Sequence, residues 1–526
     1  MITIPKLNHL EVGMNKALQS AVNQYKEPQA QRKSMMPSPT RSMFLGTQHS
    51  HPHAFQAMNA LTREGLVVAS RRNMVKASLA GFAGLSLPGL LASRTQAMSM
   101  GMSSPRAKSI ILLWMTGGPS HIDTWDPKPD RPFNNRGPFG VIKTKLPGVH
   151  FCEHLPKQAA MLDKFTIIRS VDAKFSNHEP NMVFQTGNLD AEPRTNREAP
   201  LYPSIASVVA KHHGSNEASM PPYVGFYRSP SHIASGGYLG QQYDPFRGNL
   251  AAKLPVYDLV GTDTGKKSNA EMFQLSKGLD FDRLHDRRTL LKDLDRIRRD
   301  IDTSGAMIAA DTFQQQAVDL LVGAKARDAF DLTLEPAEVR ERYGSHLWCQ
   351  QALLARRLVE SGVAFVTIDL SYHTASGTWD NHGDNIPPYG GISKGLKPLL
   401  PLFDHLITTL VGDLEQRGRL DDVMVIAMGE FGRTPMMGTQ ESTDGRDHWP
   451  NVMSMALAGG GLSHGQVIGA TEKDGGAIKE RPVTPGDLAA TIYRYFGVPL
   501  TTQYVDHRGR PRNVVDQGTP IAELGL

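Results

Sequence analysis

Cysteine is nearly absent: Cys152 and Cys349 are the only two in 526 residues. That excludes a disulfide framework and a thiolate-rich metal site, and two cysteines so far apart in sequence read as small buried apolar residues with free thiols. A comfortable membrane span is missing as well, because the apolar stretch Ala77 to Ala92 is short and broken by Gly81, Gly84, Pro88 and Gly89. No Gly-x-Ser-x-Gly nucleophile elbow occurs. Gly459-Gly460-Gly461 lacks the Lys-Ser/Thr of a phosphate-binding loop and reads as a turn after a strand. Internal repeats and coiled-coil heptads are also lacking.

An excess of basic charge is present only in appearance. The chain carries a formal +5, but residues 1–97 hold 11 of its 57 Lys and Arg and 3 of its 52 Asp and Glu. The remainder has 46 basic against 49 acidic residues, a net of −3, so the sequence carries no electrostatic argument for a nucleic-acid partner. At 40% hydrophobic and 21% charged, the composition is that of a soluble globular protein, long enough for one large domain or two ordinary ones.

Residues 1–57 are polar and aperiodic, and read as disordered, or as untranslated if Met58 is the true start. Ser70-Arg71-Arg72-Asn73-Met74-Val75-Lys76, a weakly apolar run, and Thr95-Gln96-Ala97 follow in the order of a twin-arginine signal peptide over 58–97. The partner this implies is the Tat export machinery, and the implied destination is the periplasm or beyond, with no stable membrane span after cleavage. Export of a folded chain also lets the cytoplasm choose which metal a site receives. A small-residue linker spans 98–107, and one domain is expected over 108–526.

Within that domain, continuous apolar runs at Ser109 to Met115, Phe165 to Val171, Val363 to Leu370 and Val423 to Met428 predict strands covered on both faces. Helical periods fall at Pro203 to His213, Trp348 to Ser361, Lys397 to Arg417 and Pro485 to Phe496. This alternation predicts an α/β fold, a mostly parallel central sheet with helices on both faces. Asp280 to Asp302 predicts a charged amphipathic helix within a helical insertion at about 280–335, packed on the domain with a solvated face.

The chemistry-bearing residues cluster just after the expected strands. Thr116 to Asp126 contains His121 and Asp123; Trp379 to Asn385 contains Asp380 and His382; Gly429 to Pro435 contains Glu430 and Arg433; Gly445 to Pro450 contains Arg446 and His448. Parallel sheets place ligands at the carboxyl ends of their strands. Carboxylates gathered there repel one another and are most simply neutralised by a divalent cation. Oxygen and imidazole donors without thiolate suit Zn, Mn, Fe, Ca or Mg. Such a metal polarises an ester and generates hydroxide. Arg433 and Arg446 are candidates to hold an anionic phosphate or sulfate group, or else salt bridges that orient Glu430 or Asp447.

From about Lys108 to the C-terminus the chain resembles the DUF1501 family of the alkaline phosphatase and sulfatase superfamily. The residues that carry the resemblance are Gly117 to Lys128, Asn177-His178-Glu179-Pro180 with Thr186-Gly187, Trp379 to His382, Glu430 to Pro435 and Gly445 to Trp449. The resemblance implies an alkaline phosphatase-like domain of two-metal hydrolase ancestry. Its metal positions fall on Asp123, with His121 nearby, on Asp380 and His382 at a shorter spacing, on Glu430 with Phe431 in place of a histidine, and on His448. At the sulfatase nucleophile, His178-Glu179-Pro180-Asn181-Met182 stands where an oxidisable Cys or Ser belongs, which argues against formylglycine chemistry. His178 is then a catalytic, metal-binding or pocket-shaping candidate, and Ser176 and Ser120 are candidate hydroxyl nucleophiles. The function expected is an exported metal-dependent hydrolase of an anionic phosphate or sulfate ester, including one carried on a polysaccharide. The alternative is a secreted binding or surface protein that kept this fold and lost the reaction.

Overall fold

The computed structural model describes residues 107–526 except 177, 179–181, 271–323, 375, 384–389 and 440. The expected N-terminal extension, leader and linker up to residue 106, and the helix at Asp280 to Asp302, lie outside the described residues.

Eight strands form one sheet: β1 (Ser109–Trp114), β2 (Phe165–Val171), β3 (Tyr223–Phe226), β4 (Phe246–Arg247), β5 (Phe365–Asp369), β6 (Val423–Met428), β7 (Met453–Gly459) and β8 (Gln466–Ile468). Their order is β8-β2-β7-β6-β1-β5-β3-β4. Every neighbouring pair is parallel except the two made by β7, which runs against β6 and β2. The four apolar runs therefore lie in the sheet, as a mostly parallel sheet buried on both faces requires.

Alternation along β1 shows how both faces are filled. Ile111 and Leu113 pack in one core with α2 (Leu347–Ser361) and α3 (Lys397–Gln416). Ile110 and Trp114 pack in the other with α1 (Ile205–His212) and α4 (Pro485–Phe496). These helices start and stop where local chemistry dictates. Thr484 and Asp487 form a reciprocal capping box at the start of α4, and Gly497 ends it in the left-handed conformation at φ 72°. In α2 the His346 side chain caps the first turn by accepting from the Trp348 N–H, and Gly362 closes the last turn. The Gly459-Gly460-Gly461 turn follows β7, with all three at positive φ. Beyond the insertion's undescribed part, Ala324–Phe330 is helical and packs under α2. Among the described residues no helix is long and apolar enough to cross a membrane.

Candidate metal centre

The carboxyl ends of β1, β5 and β6 are adjacent in the sheet, so the loops that leave them meet over one edge. After β6, Gly432–Arg433 pairs with His448–Trp449 in a two-stranded ribbon, which sets His448 opposite Arg433. The Arg433 guanidinium reaches Asp380 Oδ1 at 2.5 Å in the loop after β5. Two glycines allow this meeting. At Gly117 (φ 120°) a Cβ would stand 2.3 Å from the Asp380 nitrogen, and at Gly445 it would stand 1.4 Å from the His382 carbonyl oxygen.

His178, Asp380, His382 and His448 converge there, each offering a donor atom within 4.8 Å of the others. His448 Nε2 lies 2.7 Å from both His178 Nε2 and His382 Nε2. Asp380 Oδ1 lies 3.1 Å from His382 Nε2 and 3.4 Å from His448 Nε2, and Oδ2 is 3.5 Å from His178 Nε2. A ring nitrogen carries either one proton or one lone pair. A single Nε2 therefore cannot bond well to two other ring nitrogens and a carboxylate at once, whereas a shared cation satisfies all of them. The donor set, three imidazoles and a carboxylate without thiolate, fits a divalent transition metal, and the cluster is a possible metal site.

Glu430 sits behind it. Its side chain is fully buried, and Oε1 accepts hydrogen bonds from the Gly117 N–H (2.8 Å) and from His178 Nδ1 (2.6 Å). With its proton on Nδ1, His178 turns a lone pair on Nε2 inward, the arrangement by which an outer carboxylate orients a metal-bound histidine. Glu430 Oε2 is buried with no hydrogen-bond partner among the described residues, which a carboxylate tolerates only beside positive charge. Phe431 lies against two of the imidazoles, with ring centroids 4.7 Å from His178 and 4.8 Å from His448.

The electrostatics of the cluster's own side chains are polarised. Burial works against the Asp380 carboxylate, but the Arg433 guanidinium and bonds from His178 and His448 hold its pKa far below the usual carboxylate range. Burial would also push His178 down, yet bonds to Asp380 and Glu430 raise it. His382 is lowered by burial, and His448 is pushed down to about 4 by the same cause. Two rings are thus neutral at pH 7, the state in which imidazole ligates metals.

The structure does not bring Asp123 or His121 into this cluster. Asp123 Oδ2 instead accepts from Arg446 Nε (2.7 Å) and from Ser120 Oγ (2.5 Å), with both charged side chains fully buried. The remaining Arg446 donors go to the carbonyls of Thr434, Pro435 and Asn135. Arg433 is likewise fully buried, with bonds to the Gly117, Gly118 and Arg446 carbonyls besides Asp380. All five Arg446 N–H donors and four of the five of Arg433 are spent within the fold, and with both guanidiniums fully buried neither is presented to an anion. They are salt bridges, but to Asp380 and Asp123 rather than to Glu430 or Asp447. His121 is buried, with Nε2 on the Gly475 carbonyl at 2.8 Å and its pKa lowered by burial. Among hydroxyls, Ser120 serves Asp123, and the Ser176 Oγ is buried without a hydrogen-bond partner among the described residues. Sequence reasoning missed Ser376, whose Oγ donates to Asp380 Oδ2 at 2.5 Å. Its position four residues before Asp380 was the available signal.

Residues 107–524 match the family described as "Protein of unknown function (DUF1501)". The chain belongs to the DUF1501 family. No curated protein matches this DUF1501 chain. Among solved structures it is similar to PsFucS1 sulfatase from Pseudoalteromonas sp., at 12% identity and a TM-score of 0.35 over 78% of this chain and 72% of that one. It is also similar to the phosphonate monoester hydrolase of Silicibacter pomeroyi, at 13% identity and 0.32 over 79% and 76%. A third similar structure is the lipoteichoic acid synthase LtaP from Listeria monocytogenes, at 8% identity and 0.28 over 75% and 72%.

Proposed function

We propose that this DUF1501 protein is a metal-dependent hydrolase of an anionic phosphate or sulfate ester, with one divalent cation held by His178, Asp380, His382 and His448. The observation that carries the reading is the convergence of three imidazole Nε2 atoms and a buried carboxylate at the carboxyl ends of parallel strands. When bound, the metal supplies Lewis acidity toward the ester oxygen and lowers the pKa of a coordinated water.

The chain's own groups prepare that site. Glu430 fixes the His178 tautomer and ring orientation through Nδ1. Arg433 holds the Asp380 carboxylate ionised and ties it to the Gly117-Gly118 turn after β1. Phe431 keeps water from one side of the imidazoles. Because both arginines are engaged, the cation itself is the positive charge that the substrate anion meets. The twin-arginine pattern at Arg71 and Arg72 supports export of the folded protein through the Tat machinery to the periplasm or outside the cell. That is tested by whether a reporter behind residues 58–97 is exported and stops being exported when both arginines become lysine.

The test of the activity is turnover of an aryl phosphate and aryl sulfate panel by metal-loaded full-length protein. Hydrolysis of one ester class that disappears in Asp380→Asn is expected. Metal binding without turnover of any ester would instead favour the secreted binding protein, a reading supported by the full burial of Arg433 and Arg446.

A further inference from the structure

Glu430 braces one imidazole of the cluster from behind, and a second imidazole stands without such a brace. The Nδ1 atom of His382 is buried and makes no hydrogen bond among the described residues. A carboxylate is close by: Asp447 Oδ1 lies 3.5 Å from that nitrogen, too far for a good bond.

The two carboxylates differ in their freedom to move. Glu430 is fully buried and already closed on His178 Nδ1 at 2.6 Å. The Asp447 side chain is 49% exposed, so it can turn without disturbing the core. Its backbone, by contrast, is fixed. The Asp447 N–H donates to Thr434 Oγ1 at 3.0 Å, and its carbonyl accepts from the Thr434 N–H at 2.9 Å, beside the ribbon that pairs Arg433 with His448. Among the described residues its carboxylate accepts one hydrogen bond, from the His448 N–H to Oδ1 at 2.8 Å. A carboxylate has lone pairs for several more.

A neutral imidazole has one proton for two nitrogens. If His382 Nε2 gives its lone pair to a cation, the proton stands on Nδ1, and a buried N–H without an acceptor is costly to keep. We infer that Asp447 is the positioning residue of His382: its carboxylate turns onto Nδ1 when the cluster holds a divalent cation, and fixes that ring as Glu430 fixes His178. One side chain then braces two ligands, His448 through its backbone and His382 through its ring. The inference deepens the hydrolase reading, resting on its metal cluster and not on its reaction.

Exposure decides what each part of Asp447 contributes. Water screens its charge, as it cannot screen that of Glu430, so the acceptor oxygen matters more than the charge. Zinc is the probe, added to the full-length protein. By chelator competition, Asp447→Asn, which keeps an acceptor, should hold zinc within about fivefold of the wild-type affinity, the worth of an exposed charge. Asp447→Ala should lose about tenfold or more. Proton–nitrogen NMR of histidine-labelled protein reads the bond itself. In the wild type one slowly exchanging Nδ1–H signal should appear on zinc addition, persist in Asp447→Asn and vanish in Asp447→Ala, while the Glu430-bonded His178 signal stays in all three. A general loosening of the loop would instead disturb both signals.

Equal zinc affinity in wild type and Asp447→Ala, or a zinc-dependent signal that survives in Asp447→Ala, overturns the assignment. So does a zinc-loaded wild type with no such signal, a result that needs no variant to fold. Absence of zinc uptake overturns the assignment together with the metal cluster. The expected pattern without turnover of any ester supports Asp447 in this role and counts against the hydrolase reading alone.

Discussion

Replacing Glu430 by Gln isolates what a carboxylate behind a metal ligand contributes. The amide oxygen can still accept from the Gly117 N–H and from His178 Nδ1, now 2.8 and 2.6 Å from Oε1, so shape and hydrogen bonding are nearly kept and the charge is lost. Outer-shell partners of this kind typically change metal affinity by about 10- to 100-fold, or ~1.4–2.7 kcal/mol. Glu430 is completely buried and solvent cannot replace its charge, so the upper part of that range is expected. Competition against a chromophoric chelator gives the affinity. The metal-free variant should also show a lower His178 pKa by NMR, because the bonds to Asp380 and Glu430 are what raise it against burial. Since that pKa is raised, its contribution to the stability of the metal-free protein is complete below the unfolded value near 6.5 and fades as pH rises through the folded value. An E430Q protein with unchanged metal affinity and an unchanged His178 titration would refute the assigned role.

Asp123→Asn leaves the Arg446 charge buried without its partner and is expected to cost about 3–5 kcal/mol. Denaturant titration should show that loss, while metal stoichiometry stays the same because Asp123 lies outside the cluster. Cys152 and Cys349 are buried and free, and burial pushes both thiols up to about 12, so a thiol reagent should label neither in the native protein at pH 8 and both after unfolding. Rapid native labelling of either would contradict their burial. His346 caps α2 through an unprotonated Nδ1, and burial pushes its pKa down to about 4. A lowered histidine pKa means that its stability contribution is present above about 6.5 and is lost as pH falls toward 4, by at most about 3 kcal/mol. His346→Asn keeps a capping oxygen without a titration and should flatten the midpoint-versus-pH curve in that window.

Much of the fold was legible because buried parallel strands need continuous apolar runs. Phe165–Val171 and Val423–Met428 are the strands that their hydrophobicity marks, and Pro485–Phe496 is bounded by a capping box and a glycine. Val363 to Leu370 shortened to Phe365–Asp369 because its ends pass into loop hydrogen bonding. Met453–Gly459, which reverses direction in the sheet, is announced in the sequence only by the glycine turn that follows it, and its bounds were not legible, since Ser454, Ala456, Ala458 and Gly459 dilute its apolar signal. At the site, proximity of the strand-end residues was readable and their pairing was not. Whether an arginine faces solvent or a buried aspartate depends on how two distant loops cross, and Arg446 meets Asp123 across 323 positions of sequence. The same holds for Glu430, whose partner His178 lies 252 positions away and turns a ligand position into a support.

The central claim is the metal, and X-ray absorption on protein purified with its native cation tests it most directly. The account predicts one tightly bound divalent ion per chain in a shell of about three imidazole nitrogens with carboxylate oxygen and no sulfur, at about 2.0–2.2 Å if the ion is zinc. It also predicts that His448→Ala removes one nitrogen from that shell and His178→Ala another. A protein that takes up no divalent metal, or one whose metal shell is the same in both variants, would contradict it.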